Sequence, residues 1–168
     1  MDKDKNIILR TEELCKWFLA GTGWNHGVTR KYLKAVNGVT IDVAEGETLG
    51  IVGESGCGKT TFGRTVLKLE EPTSGKIFFE ETDITDYSYK EMRKIRQKIQ
   101  FVFQDPYASL DPRMKIGKCI GEPYTIQKIY TDEKERKAEV LKLMKKCGLS
   151  KNDYEKYPHE FSGGQRQR

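Results

Sequence analysis

One eight-residue tract constrains this chain more than any other: Gly53-Glu54-Ser55-Gly56-Cys57-Gly58-Lys59-Thr60 fits the pattern G-x-x-x-x-G-K-[ST]. Before it, Thr48-Leu49-Gly50-Ile51-Val52 is a nearly continuous apolar run, which predicts a strand buried on both faces of a sheet. After it, Phe62, Val66 and Leu69 recur at i, i+4 and i+7 and predict a helix over Lys59–Leu69 with one apolar stripe. Strand, glycine-rich turn and helix form the context in which such a tract grips phosphate. Its glycines let the backbone curl, so that successive N–H groups converge on one anion. The helix start adds free N–H groups and the positive end of the helix dipole. Lys59 supplies a cation for β- and γ-phosphates, the Thr60 hydroxyl is placed to ligate Mg²⁺, and Thr61 is placed to donate to an α-phosphate. The expected ligand is ATP with Mg²⁺, contacted by Gly53, Glu54, Ser55, Gly56, Cys57, Gly58, Lys59, Thr60 and Thr61. The bland alternative, a chance glycine-rich turn, is weighed down by both flanking elements.

Around this tract the pattern predicts a strand-rich first part and a helical second part. Ile7–Leu14 reads as a strand ending near Trp17-Phe18, and the segment Gly21–Gly27 as an exposed loop or insertion. Gly38–Val43 alternates like a half-buried strand, Glu45-Gly46 turns the chain, and Lys76–Phe79 is a further strand. Ser88 followed by Glu91 is a capping-box pattern that starts a helix over Tyr89–Lys98, and Ile99–Phe103 is another short strand. Pro106, Pro112 and Pro123 mark a loop-rich stretch. Asp132 and Glu135 repeat the cap signal before an amphipathic helix carrying Val140, Leu141, Met144 and Cys147, with Gly148 as its C-terminal glycine. The expected fold is α/β, one domain: a β-rich phosphate-loop core over 1–104, with an antiparallel β part at its start, and a helical subdomain over 105–160.

Composition excludes several classes. Thirty basic residues face twenty-five acidic ones, for a net charge of +5, so the chain is not a polycation built to neutralise many nucleic-acid phosphates. The Lys-rich run Lys134–Lys146 reads as a solvated helix face. Cys15, Cys57, Cys119 and Cys147 form no CxxC pair, which argues against a zinc site or a disulfide framework and fits a reducing compartment. No apolar run approaches the ~18 residues of a membrane span, so a membrane role is expected to come through partner subunits.

The chain's end narrows the kind of phosphate-loop protein. Phe161-Ser162-Gly163-Gly164-Gln165-Arg166-Gln167-Arg168 resembles the signature motif of ATP-binding-cassette (ABC) ATPases. Here too a serine and two glycines open a helix and offer N–H groups to a phosphate. The resemblance implies that Ser162, Gly163, Gly164 and Gln165 serve the nucleotide held by the opposite cassette of a dimer. It places Gln104 as the glutamine that helps bind Mg²⁺ and water, and Tyr32 as a candidate for stacking on adenine, with ordinary packing at a strand edge as its alternative. Within the family, Gln104–Met114, Gly121-Glu122-Pro123, Tyr157-Pro158-His159-Glu160 and Glu71–Gly75 are similar to stretches of oligopeptide, dipeptide and nickel importer ATPases. That similarity implies a peripheral subunit on the cytoplasmic face of the cell membrane. A second ATPase, permease subunits and, indirectly, a solute-binding protein are its expected partners, and nucleic acid is not. His159 precedes the signature, unlike the family's switch histidine, and is read as structural.

The family's Walker B strand, ending in a Mg-binding Asp and a catalytic Glu, is expected beyond Arg168, and no residue here replaces that Glu. The chain therefore reads as the front part of an ABC ATPase, inactive in hydrolysis alone. The alternatives are a module that binds nucleotide without hydrolysing it, and a non-transport ABC ATPase of the DNA-repair type.

Overall fold

The computed structural model describes residues 6–24, 28–105 and 109–167. The chain divides into two compact units, Met1–Gln100 and Phe101–Arg168. Of the segments singled out above, Asn25-His26-Gly27, Pro106-Tyr107-Ala108 and Arg168 lie outside the described residues.

The first unit is built on an antiparallel sheet of four strands in the order β2-β1-β3-β4. β1 (Ile7–Trp24) and β2 (Val28–Ala44) form one long hairpin, β3 (Ser74–Phe79) pairs with the first half of β1, and β4 (Thr82–Asp83) closes the edge. The first strand thus runs past Trp17-Phe18, and Gly21–Trp24 of the segment expected to be a loop belongs to it. Bulges between Leu14 and Lys16, Lys16 and Trp17, and Leu19 and Gly21 let the ladder continue where regular alternation fails. Thr11 is fully buried because its hydroxyl is paired on both sides, donating to the Val39 carbonyl (3.0 Å) and accepting from the Ile41 N–H (3.2 Å).

Against this sheet pack α1 (Lys59–Val66) and α2 (Tyr89–Ile95). Leu14, Val36, Ile77 and Phe79 from the strands meet Phe62 and Val66 of α1, Met92 of α2, and Ile84 in one core. The expected capping box at α2 is present: the Ser88 hydroxyl accepts from the Glu91 N–H, and the Glu91 carboxylate accepts from the Ser88 N–H (2.8 Å). The α1 helix is shorter than expected and leaves Leu69 exposed.

Two expected strands are not strands. Thr48–Val52 and Ile99–Phe103 are irregular, Val52 is 93% and Val102 92% exposed, and the four-stranded sheet includes neither segment. An apolar run becomes a buried strand only when a neighbouring strand completes its hydrogen-bond ladder, and no described segment pairs with either run.

The second unit holds α3 (Ile116–Gln127), α4 (Glu133–Lys146), two short 3-10 turns (Lys151–Glu155 and Pro158–Glu160) and α5 (Gly163–Arg166). Its core joins Ile116, Val140, Met144 and Phe161. The α3 helix corrects the reading of Pro123 as part of a loop, since the proline lies inside it. Packing overrides propensity here: Gly117 lets the helix approach the Tyr154 ring closely. The Asp132 cap is real but accepts from Lys134 (3.3 Å). Gly148, at φ 73°, ends α4 as expected: its N–H donates to Lys145 (3.1 Å) and that of Leu149 to Met144 (2.9 Å).

Candidate phosphate-binding site

The tract Gly53–Thr60 lies in the first unit as an exposed loop leading directly into α1. Gly58 caps the helix in a left-handed conformation (φ 100°, ψ 0°) with no side-chain cap bond. A Cβ there would stand 2.0 Å from the Ala35 carbonyl oxygen, so the β2 backbone forms one wall of the loop. The Cys57 N–H donates to the Glu54 carbonyl (3.3 Å) and closes a turn within the tract. The Phe62 N–H donates to Gly58 (2.8 Å), and the amides of Lys59, Thr60 and Thr61 precede it at the open helix start, where no carbonyl lies one turn back. The Lys59 ammonium turns into the curl, donating to the carbonyls of Gly53 and Glu54 at 2.7 Å each, with the Cys57 sulfur at 3.6 Å. One cation and a set of helix-start amides thus belong to a single small loop, an arrangement that stabilises an oxyanion.

The helix that carries Lys59 is anchored at its other end as well. Phe62, Thr65 and Val66 are buried, and the Thr65 hydroxyl donates to the Thr61 carbonyl (2.8 Å). The C-terminal turn closes through Lys68 to Thr65 (3.0 Å) and Leu69 to Arg64 (2.9 Å), with Lys68 at φ 53° where a glycine is usual. The Lys68 ammonium is buried, paired with the Glu71 carboxylate and donating to the Thr85 carbonyl (2.5 Å). Sequence reasoning missed both Ala35 and Lys68. The Lys68–Glu71 spacing is a legible i,i+3 pair, whereas a small residue in a strand carries no signal of what approaches it.

The remaining candidates are placed as follows. Glu54, Ser55 and Thr60 are exposed and Thr61 is half-buried. Tyr32 sits on β2, three residues before Ala35, half-exposed, with its ring 6.4 Å from that of Trp17. Gln104 lies in an exposed stretch of the second unit. At the start of α5 the Ser162 hydroxyl accepts from the Gln165 N–H (3.3 Å) while the Gln165 side chain accepts from the Ser162 N–H (2.9 Å). Buried Phe161 and the Arg166 bond to the Pro158 carbonyl (2.6 Å) hold this turn. A Cβ on Gly163 or Gly164 would meet nothing within 4 Å. The His159 ring stacks on Tyr157 (centroids 5.6 Å, planes 11° apart).

Known proteins are similar to this chain in sequence and in fold. The family described as "ABC transporter" matches residues 36–168. The oligopeptide transport ATP-binding protein AppF of Bacillus subtilis is 51% identical, over 98% of this chain and 50% of its own length. OppF of the same organism, also an oligopeptide transport ATP-binding protein, is 47% identical over 85% of this chain and 48% of its own length. Among solved structures, the dimeric bacterial ABC transporter cassette MJ0796 superposes with a TM-score of 0.79 at 26% identity, covering 95% of this chain and 65% of that one. The chain spans about half the length of the curated relatives it matches. The expected α/β phosphate-loop class agrees with these cassettes. By family match and shared fold, the chain belongs to the ABC transporter family and is similar in particular to its oligopeptide-transport ATP-binding proteins.

Proposed function

We propose that the chain binds Mg-ATP at Gly53–Thr60, as part of a subunit that hydrolyses ATP to drive import of oligopeptides, dipeptides or a related solute. The observation that carries this reading is the Lys59 ammonium turned into the loop, 2.7 Å from two of its carbonyls, beside an open helix start. The triphosphate tail replaces those carbonyls as partner of the ammonium, while the Gly56–Thr61 backbone supplies N–H donors. Charge-assisted hydrogen bonds of this kind contribute ~1.5–3 kcal/mol each. Among the described residues no three His, Cys, Asp or Glu cluster as a metal site. An exposed Thr60 hydroxyl at the helix start suits a metal that takes most of its oxygens from phosphate and water, as Mg²⁺ does. The Thr60 hydroxyl would hold it, and Mg²⁺ when bound neutralises charge on the transferred phosphoryl group; a role for Gln104 there rests on the family resemblance alone. Tyr32, on the strand that walls the loop, is the proposed adenine contact.

Ser162, Gly163, Gly164 and Gln165 are proposed to serve the nucleotide of a second ATPase subunit. Open space around both glycines supports this, since the chain's own packing does not require glycine there. By analogy with relatives named for oligopeptide transport, the partners are that ATPase, permease subunits and, indirectly, a solute-binding protein, at the cytoplasmic face of the membrane. Nucleic acid has no part in this reading. Hydrolysis is proposed for the full-length subunit and not for these 168 residues by themselves, because they hold no apolar strand ending in Asp-Glu. Calorimetry with Mg-ATP tests the binding claim: Lys59→Ala is expected to weaken binding at least tenfold, the equivalent of ~1.4 kcal/mol. Equal heats for the wild type and the variant would refute it. Phosphate release above background from the 168-residue chain would refute the second claim.

A further inference from the structure

On the reading of Gly53–Thr60 as the ATP site, we propose that Lys68 is a positioning residue for nucleotide binding. Its buried ammonium fixes the axis of α1, and with it the aim of the helix-start amides and of Lys59. Lys68 carries two costs at once. It directly follows Leu67, the C-cap of α1, at φ 53°, a left-handed backbone in which a side chain is crowded and glycine is usual. Its side chain is only 3% exposed, so the ammonium is withdrawn from water. A glycine would avoid both costs, so this side chain does more than end a helix.

The attachments at Lys68 define what it holds. The ammonium donates to the Thr85 carbonyl (2.5 Å) and pairs with the Glu71 carboxylate, while the Lys68 carbonyl accepts from the Arg96 guanidinium (3.4 Å). Arg96 ends α2, and its guanidinium also lies over the Tyr89 ring (4.6 Å). Thr85 follows β4 and is itself fixed: its hydroxyl accepts from the Ile77 N–H of β3 (2.8 Å), and its N–H donates to the Asp83 carboxylate (3.0 Å). The far end of α1 is therefore fastened both to the sheet and to α2. The helix has eight residues, a length of about 12 Å. Its buried residues, Phe62, Thr65 and Val66, hold it against the core but do less to fix its direction along that surface. A helix pivoting on this contact carries a shift of about 1 Å at Lys68 into the amides of Lys59, Thr60 and Thr61, and hydrogen bonds to a phosphate weaken over such a distance. Lys68 stands a helix length from the loop, so it acts through α1 and not by touching the nucleotide.

Lys68→Gly tests the proposal, because glycine suits the left-handed backbone while the ammonium is lost. Calorimetry of the 168-residue chain with Mg-ATP is expected to show an affinity about tenfold lower, as when one charge-assisted hydrogen bond is misaligned. The melting temperature should stay within about 5 °C of the wild type. Glu71→Ala changes an exposed carboxylate, keeps the fold, and should weaken ATP binding about threefold. Ser88→Ala is the stability control: it removes the α2 capping box and lowers the melting temperature by about 3 °C, yet should leave ATP affinity within about twofold. Without nucleotide, the amide NMR shifts of Lys59, Thr60 and Thr61 should move in Lys68→Gly and Glu71→Ala and stay in place in Ser88→Ala. Wild-type affinity in Lys68→Gly, or an equal loss in Ser88→Ala, would overturn the proposal, as would helix-start amides that do not respond. If Lys68→Gly does not fold, wild-type affinity and unmoved amides in Glu71→Ala overturn it. Absence of heat from the wild type would overturn the ATP reading by itself, and the amide shifts would still decide whether Lys68 aims the helix start.

Discussion

Two glycines on α3, four residues apart, should respond in opposite directions to the same substitution. A Cβ on Gly117 would stand 2.4 Å from Cδ2 and Cε2 and 2.5 Å from Cγ of Tyr154. A Cβ on Gly121 would meet its nearest neighbour, Val140 Cγ2, at 3.5 Å, an ordinary contact distance. Replacing glycine by alanine inside a helix is worth up to about 1 kcal/mol in intrinsic propensity. At Gly121 nothing opposes that gain, and Gly121→Ala should stabilise the helical unit by about 0.5–1 kcal/mol. At Gly117 the Tyr154 ring must retreat by about 1 Å to restore contact distance. That ring lies under the Lys137 ammonium (4.6 Å), and the next residue, Glu155, holds Lys115 (2.9 Å) and Lys137 (3.6 Å), so little room for retreat exists. Overpacking of this kind costs about 1–3 kcal/mol. With the upper part of that range, Gly117→Ala loses about 1–2 kcal/mol net after the propensity gain. Urea unfolding followed by circular dichroism should separate the two midpoints by about 1 M, for slopes of about 1–3 kcal/mol/M. Midpoints that move in the same direction would refute the packing argument.

Two further substitutions follow from the geometry. Gly58→Ala meets both a left-handed φ of 100° and the Ala35 carbonyl at 2.0 Å, so it should cost about 3 kcal/mol or more and abolish ATP binding; a calorimetric titration matching the wild type would sink this reading of the loop wall. Asp153 is held down to about 2 by the Lys156 ammonium, then by the Ser150 hydroxyl and N–H. Its folded value is depressed, so its contribution is present above its ordinary 3.8 and is lost as pH falls through about 2. Thermal melts between those limits should therefore show a steeper loss for the wild type than for Asp153→Asn, and parallel curves would contradict it.

What the sequence made legible was local chemistry. Ser88 and Glu91 announce their capping box, Gly148 its left-handed turn, and Gly53–Thr60 the loop, because each depends on residues within a few positions of one another. What it hid depends on distant partners. Thr48–Val52 and Ile99–Phe103 have strand-like composition, but strand pairing is a property of two segments. The α3 helix contains a proline and two glycines, and at Gly117 the distant Tyr154 ring fills the space that the missing side chain leaves. The ribbon through Gly21 is kept in register by bulges, which alternation-based reading treats as the end of a strand. At the site, Lys59 and the helix start were legible, whereas Ala35 as the loop's wall was not.

The two apolar runs left outside the described sheet have a consequence for the chain in solution. Val52 and Val102, almost wholly open to solvent, lie in apolar runs that join no strand ladder among the described residues. Such a stretch is satisfied equally by a complementary strand or by the same stretch from another molecule. Self-association of the 168-residue chain through these runs is therefore expected to rise with concentration, which light scattering over a dilution series would show.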